Sequence, residues 1–303
     1  MNAPLRINNG VSPSSQWLPP GPWETVLDFL TERFPHVATG TWLSRMARGE
    51  LVDETGRPLT STSRYRIGAC VYYYRELESE ESIPFAETIL YQDEHLLVAD
   101  KPHFLPVIPA GRFLRETLLV RLKQKLKLDD LVPVHRLDRE TAGVVVFSVN
   151  AGTRGQYTSL FRNRKVEKVY QALAPNHPEL SFPLTRCSRI VRGEPFFRVK
   201  EVDGEANSET RIAVIENVRS EASLNLYELR PLTGRKHQLR VHLAALGIPI
   251  LNDKLYPDSS FRKFAADSDF SAPLKLLAKS ISFTDPLTEQ EHHFESQRTL
   301  EPS

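Results

Sequence analysis

An α+β fold built on a mixed or antiparallel sheet is what this sequence predicts, and three features predict it. Short β-branched and aromatic runs bounded by Gly, Pro, Asn or Asp recur through the last two-thirds of the chain. Amphipathic stretches with helical spacing are few. The two kinds of segment alternate too irregularly for a doubly wound nucleotide-binding fold. At 303 residues the chain suits two domains, or one large domain with an appendage.

Residues 1–21 are rich in Asn, Pro, Ser and Gly and read as a flexible arm. Pro22 stands at a first-turn position. Val26, Leu27, Phe29, Leu30 and Phe34 then form an apolar stripe that Pro35 stops. Trp42, Leu43 and Met46 suggest a second short helix ended by Gly49. Strands are expected at 51–52 and 67–74, so residues 22–77 form a small α+β domain. The acidic stretch 78–87 is a linker. The main domain follows at 88–296, and 297–303 is a tail. Within the main domain, 88–91 and 96–100 read as two strands around Asp93-Glu94, and 113–128 as a helix with Leu114, Leu118, Leu122 and Leu126 on one face. Further strands are expected at 144–149, 168–174, 196–202, 211–216 and 223–230. Thr233 should cap a helix over 235–246, closed by Gly247.

Composition excludes more than it selects. The net charge is +1, but its distribution is uneven. Residues 76–100 hold eight acidic residues and no Lys or Arg; residues 151–200 hold ten Lys or Arg and three acidic residues, a net of +7. The basic stretch would meet a polyanion such as RNA, but on charge alone it describes a solvated charged face more readily. Two cysteines, far apart, form neither a disulfide framework nor a zinc site and fit a reducing cytosol. No apolar run reaches signal-peptide or membrane-span length, so a cytoplasmic location without membrane contact is expected.

Two clusters carry the candidate chemistry. Val134-His135-Arg136-Leu137-Asp138-Arg139-Glu140-Thr141-Ala142-Gly143 places five ionisable residues just before an apolar strand, where a rigid sheet can present them. By itself it describes a surface ion-pair loop at least as readily as a reactive one. Leu232-Thr233-Gly234-Arg235-Lys236-His237-Gln238-Leu239-Arg240-Val241-His242 spans a turn and a helix start suited to anions. His237 and Arg240, three apart, can share a face. Here too a solvated charged face is an equal reading. His103, His292 and His293 match no metal-ligand spacing and read as surface residues, and Arg139 and Glu140 as a local ion pair.

Taken together, the clusters resemble the RluA family of RNA pseudouridine synthases. His-Arg-Leu-Asp with Thr-x-Gly is followed by Thr-Gly-Arg-x-His-Gln-Leu-Arg-Val-His. Supporting segments stand in the family's order: ILYQDEHLLVADKP at 89–102, Lys168-Val169-Tyr170-Gln171-Ala172, Gly247-Ile248-Pro249-Ile250 and Asp253-Lys254-Leu255-Tyr256. The resemblance covers residues 87–294. Three positions depart from the pattern: Ala142 replaces the usual Ser, Asn252 a Gly, and Leu277 a His. Asn tolerates left-handed backbone, so the second change is expected to be benign. Residues 22–77 faintly resemble the small RNA-binding module shared with the ribosomal protein S-four, although the module's basic helix is thin here, with only Arg33, Arg45 and Arg48.

The resemblance implies an enzyme that detaches a uracil from its ribose within RNA, rotates it and rejoins it through carbon 5, with no metal or redox cofactor. The target base must leave its stack, and a carboxylate must react with the base or sugar or assist glycal formation. By resemblance Asp138 is that carboxylate and Arg240 its paired cation. Tyr170 is the ring that stacks on uracil and takes part in proton removal, and Arg136 enters the RNA stack where the base departs. His135, Arg235 and His237 belong to substrate support or phosphate contact. The substrate would be structured rRNA or tRNA and the enzyme a monomer. Two other functions compete: a non-catalytic RNA-binding protein or folding helper on the same fold, and a retaining glycosidase. The glycosidase would need a second carboxylate about 5 Å from Asp138, and Glu140 is the one nearby in sequence.

Overall fold

The structure is a computed structural model. It describes residues 3–77, 79–218, 223–256 and 269–301, and the chain divides into two compact units.

The first unit takes residues 1–80, with 110–115 and 120–129. Strand β1 (Ser14–Trp17) pairs antiparallel with β3 (Cys70–Tyr73), which also pairs with β2 (Leu51–Asp53). Helices α1 (Val26–Arg33) and α2 (Thr39–Ala47) stand between β1 and β2 in the chain. Pro22 does not open α1. Thr25 does: its hydroxyl accepts the Asp28 amide at 3.1 Å, and the Asp28 carboxylate accepts the Thr25 amide at 3.0 Å, satisfying two amides that the first turn leaves without partners. Phe29, Leu30, Trp42, Met46, Leu51 and Val71 form the core. The segment read as an arm is therefore partly built into a sheet. Its polar composition concealed a strand whose gain comes from backbone pairing with β3, while Leu18 anchors it in the core.

The second unit takes residues 81–109, 116–119 and 130–303. Its strands are β4 (Thr88–Gln92), β5 (Leu96–Lys101), β6 (Val132–Pro133), β7 (Ala142–Ser148), β8 (Glu167–Pro175), β9 (Leu184–Arg192), β10 (Val199–Val202), β11 (Ser208–Val218), β12 (Leu224–Pro231), β13 (Leu276–Thr284) and β14 (Glu291–Glu295). Among the described residues they form an 11-stranded sheet in the order β10-β9-β11-β12-β8-β13-β7-β5-β4, with β14 on β13 and β6 on β7. Every described pairing is antiparallel except β13 with β7, so the mixed sheet and the α+β class are as the sequence predicts. The helices are α3 (Leu118–Leu126), shared in sequence between the two units, α4 (Arg154–Arg162) and α5 (Gln238–Ala245).

Two features of the sheet matter for the site. Strand β7 is buried along its whole length, which explains its continuous apolar run. Gly143 within it has φ +112°, and a Cβ there would lie 2.2 Å from the carbonyl oxygen of Ala278 on β13, so only glycine permits the two strands to meet. Strand β8 is central, with Tyr170 paired to Leu229 on β12 and Ala278 on β13.

Several expected boundaries move. Helix 113–128 shrinks to α3 because the Leu118 and Leu119 amides donate to Pro106 and Val107 carbonyls, which fixes where the helix begins. Helix 235–246 starts at Gln238, with His237 as its cap in left-handed backbone (φ 52°, ψ 20°). Thr233 does not cap it; its hydroxyl donates to Gln238 Oε1 at 2.7 Å. Five further elements had no expectation: α4, β6, β9, β13 and β14.

Candidate active site

Asp138 lies in the loop between β6 and β7, with its side chain 28% exposed. Its turn is held from two sides. The Thr141 amide donates to the Asp138 carbonyl at 3.2 Å. From the segment at the end of β5, the Lys101 ammonium donates to the carbonyls of Pro102, Leu105 and Arg139 at 3.0, 2.7 and 3.0 Å. His103 Nδ1 lies 2.6 Å from the Glu140 carbonyl, which can only accept, so that nitrogen donates. The two residues after Asp138 thus have their carbonyls gripped by buried or half-buried cationic and neutral donors. Burial pushes the Lys101 ammonium down to about 7, against the pull of Glu140 and Asp138.

Arg240 projects from α5 and is 2% exposed. Its strongest partner is Asp253, which it meets with two hydrogen bonds of 2.8 and 2.7 Å. Its third nitrogen, Nη1, makes no hydrogen bond among the described residues. It faces Asp138 Oδ2 at 3.7 Å and Glu140 Oε2 at 3.9 Å. Burial opposes its charge, but the hydrogen bonds and charge of Asp253, then the charges of Asp138 and Glu140, hold its pKa above the ordinary arginine value. The expected Asp138–Arg240 pair is thus an electrostatic contact, while Asp253 fixes the guanidinium. His237, on the same side, places Nε2 3.8 Å from Asp138 Oδ1. Burial lowers the His237 pKa; Asp138 pulls it up, and Arg240 and Lys236 push it further down.

Tyr170 reaches the same place from β8. Burial, and then the negative charge of Asp138, push its phenol well above the ordinary tyrosine value. Its ring therefore stays neutral beside the carboxylate. His237 and Arg240, at the start of α5, thus face Asp138, and Tyr170 on the central β8 is near enough to feel its charge.

The remaining expected site residues separate. Arg136 is exposed, with no ion pair or hydrogen bond among the described residues. Arg235 is exposed and donates to the Asn207 carbonyl at 3.0 Å. His135 takes partners on β7 and α4. Its Nε2 accepts the Val146 amide at 3.1 Å and its ring stacks on Phe161 at 4.8 Å. The short β6 leaves that amide of β7 without a strand partner, and the imidazole supplies one. Burial, with Lys168 adding to it, pushes His135 down to about 3, so the ring is neutral. His103 and His292 are also half-buried rather than on the surface, the latter 3.5 Å from Asp285. Asn252 does adopt left-handed backbone, at φ 65°. Glu140 does pair with Arg139, at 2.9 Å, yet it also turns toward Arg240.

Lys101, Asp253 and Tyr256 were not singled out in the sequence. Each lies inside a segment that carries the resemblance, and the Lys-Pro and Asp-x-x-Tyr contexts were the signal available.

Comparison with known proteins gives the class, an RNA pseudouridine synthase. Residues 95–245 match the family described as RNA pseudouridylate synthase. The dual-specificity RNA pseudouridine synthase RluA of Haemophilus influenzae is 32% identical over 203 residues, covering 66% of this chain and 88% of that protein. An RNA pseudouridine synthase of Synechocystis is 28% identical over 233 residues, 76% of this chain and 79% of that one. The solved human RNA pseudouridylate synthase domain containing 4 superposes with a TM-score of 0.54 at 31% identity, over 69% of this chain and 87% of that chain. This chain belongs to the RluA family of RNA pseudouridine synthases and is an isomerase of uridine in RNA. Among the described residues no helix is long and apolar enough to cross a membrane.

Proposed function

We propose that the enzyme isomerises one or a few uridines in structured rRNA or tRNA, with Asp138 as the reacting carboxylate. The observation that carries this reading is that Arg240 and His237 face the two oxygens of Asp138, at 3.7 and 3.8 Å, in a partly exposed loop. Two of the relatives bear names that support this reading: the dual-specificity RNA enzyme above, and a yeast tRNA pseudouridine(31) synthase that is 32% identical over 186 residues.

The target base leaves its stack, and Arg136, exposed on the same loop, fills the vacated position. Asp138 then engages the nucleoside while the N1–C1′ bond breaks. The freed uracil turns, C5 bonds to C1′, the hydrogen on C5 leaves and N1 gains one. Tyr170 lies against the base. Because burial and Asp138 both disfavour its phenolate, it contributes a stacking face and a neutral hydroxyl rather than a standing base. Arg240 holds the carboxylate, and Arg235 contacts phosphate. Residues 22–77 serve as a small RNA-binding domain and 88–296 as the catalytic domain of a cytoplasmic monomer.

Asp138→Asn should abolish pseudouridine formation while RNA binding persists. Mapping pseudouridines in RNA from cells with and without the gene should reveal the lost site. An active Asn variant refutes the role of Asp138, and an unchanged map refutes the RNA assignment.

A further inference from the structure

We propose that Tyr256 and His237 form a relay that positions Asp138, with Tyr256 fixing the tautomer of His237 so that an imidazole N–H points at the carboxylate. The inference rests on Asp138 being the reacting group. The Tyr256 hydroxyl oxygen lies 2.9 Å from the Val199 amide and 2.9 Å from His237 Nδ1. The amide can only donate, so the phenol accepts from it. The phenol's own proton then finds its acceptor in His237 Nδ1. A neutral imidazole that accepts at Nδ1 carries its proton on Nε2. Nε2 is the atom that faces Asp138 Oδ1, at 3.8 Å.

Arg240 Nη1 faces the other oxygen, Oδ2, at 3.7 Å. Each carboxylate oxygen thus has one donor aimed at it, from two residues of one helix end. Both distances exceed hydrogen-bond length, as is common before substrate closes a site. The backbone supports the assignment. His237 holds φ 52°, a conformation that non-glycine residues adopt at a cost and that collects at functional sites. The ring is also edge-on to Tyr256, at 5.8 Å between centroids. Burial keeps Tyr256 protonated and His237 neutral, in line with this proton placement.

The test has a spectroscopic and a kinetic arm. With 15N-labelled histidine, His237 is assigned by its loss in His237→Asn, a residue that tolerates the left-handed backbone. The wild-type spectrum should show Nδ1 unprotonated and Nε2 protonated, and Tyr256→Phe should move population to the other tautomer. In RNA labelled with tritium at uridine C5, prepared from cells lacking the gene, tritium release reports turnover. Tyr256→Phe should lower kcat about tenfold with KM for RNA unchanged, the pattern for loss of one hydrogen bond felt during reaction. His237→Asn should do the same, and the double variant should be no slower than His237→Asn alone. A protonated Nδ1 in the wild type, or multiplicative losses in the double variant, overturns the relay. If Tyr256→Phe fails to fold, the wild-type tautomer still decides. An active Asp138→Asn variant, by contrast, removes the premise and not the relay geometry, so the two failures are distinguishable.

Discussion

Asp253→Asn should be among the most destabilising single changes at this site, although Asp253 is not expected to touch substrate. Arg240 and Asp253 are 2% and 1% exposed and share two short hydrogen bonds. Breaking such a buried pair from one side costs about 3–5 kcal/mol, because the remaining charge is left without compensation. Two features of the site adjust that figure. Asp138 and Glu140 still face Nη1 at 3.7 and 3.9 Å and offset part of the charge. Against this, Asp253 Oδ1 also accepts the amides of Leu255 and Tyr256 at 2.8 and 3.1 Å. An amide side chain offers acceptors at only one of its two terminal atoms, so a donor must face a donor. The two adjustments nearly cancel, leaving about 3–4 kcal/mol and a fall in Tm of roughly 10 °C. Urea denaturation followed by far-ultraviolet circular dichroism, which the strands of the second unit dominate, reads the change as a lower midpoint at constant slope. Asp138→Asn is the control: its carboxylate is partly exposed and makes no hydrogen bond to Arg240, so it should cost no more than about 1 kcal/mol. Equal losses in the two variants, or a loss below about 1 kcal/mol for Asp253→Asn, would refute the division of labour in which Asp253 anchors the guanidinium and Asp138 only faces it.

Three further outcomes are expected. Gly143→Ala should cost about 3 kcal/mol or more and remove activity, since the new methyl meets the Ala278 carbonyl and φ is +112°; a variant with wild-type Tm would show that β7 and β13 can separate without harm. Lys101→Met should cost at least about 3 kcal/mol by leaving three carbonyls without their donor, and kcat should fall more than KM rises as the turn after Asp138 loosens; unchanged kcat argues against that support. Stability should also fall on acidification. Burial holds His103, His135 and His242 at about 4, 3 and 4 against an ordinary 6.5. The unfolded chain takes up protons that the native chain refuses. Their contribution is therefore full above pH 6.5 and is lost as the pH falls toward 4, by up to about 1.4 kcal/mol per pH unit for each histidine. Urea midpoints from pH 7.5 to 5 should show the slope, and His242→Gln should reduce it.

What the sequence determined by itself was the periodicity of the elements and the residues of the two motifs. Alternating and continuous apolar runs mark β5, β7, β8 and β12 because burial selects side chains directly. Asp138, Tyr170, Arg240 and His237 were legible because their spacing repeats a family pattern. Strand β1 was hidden because a four-residue, largely polar strand gains from backbone pairing, which leaves no compositional trace. Only the tertiary structure decided which partner each charge takes. His135 and Asp138 are three apart in one loop, yet one turns to an orphan amide of β7 and the other to α5. Asp253 is thirteen positions from Arg240 and nonetheless holds it. Pairing of buried charges depends on which elements the sheet brings together, and spacing along the chain carries no record of that.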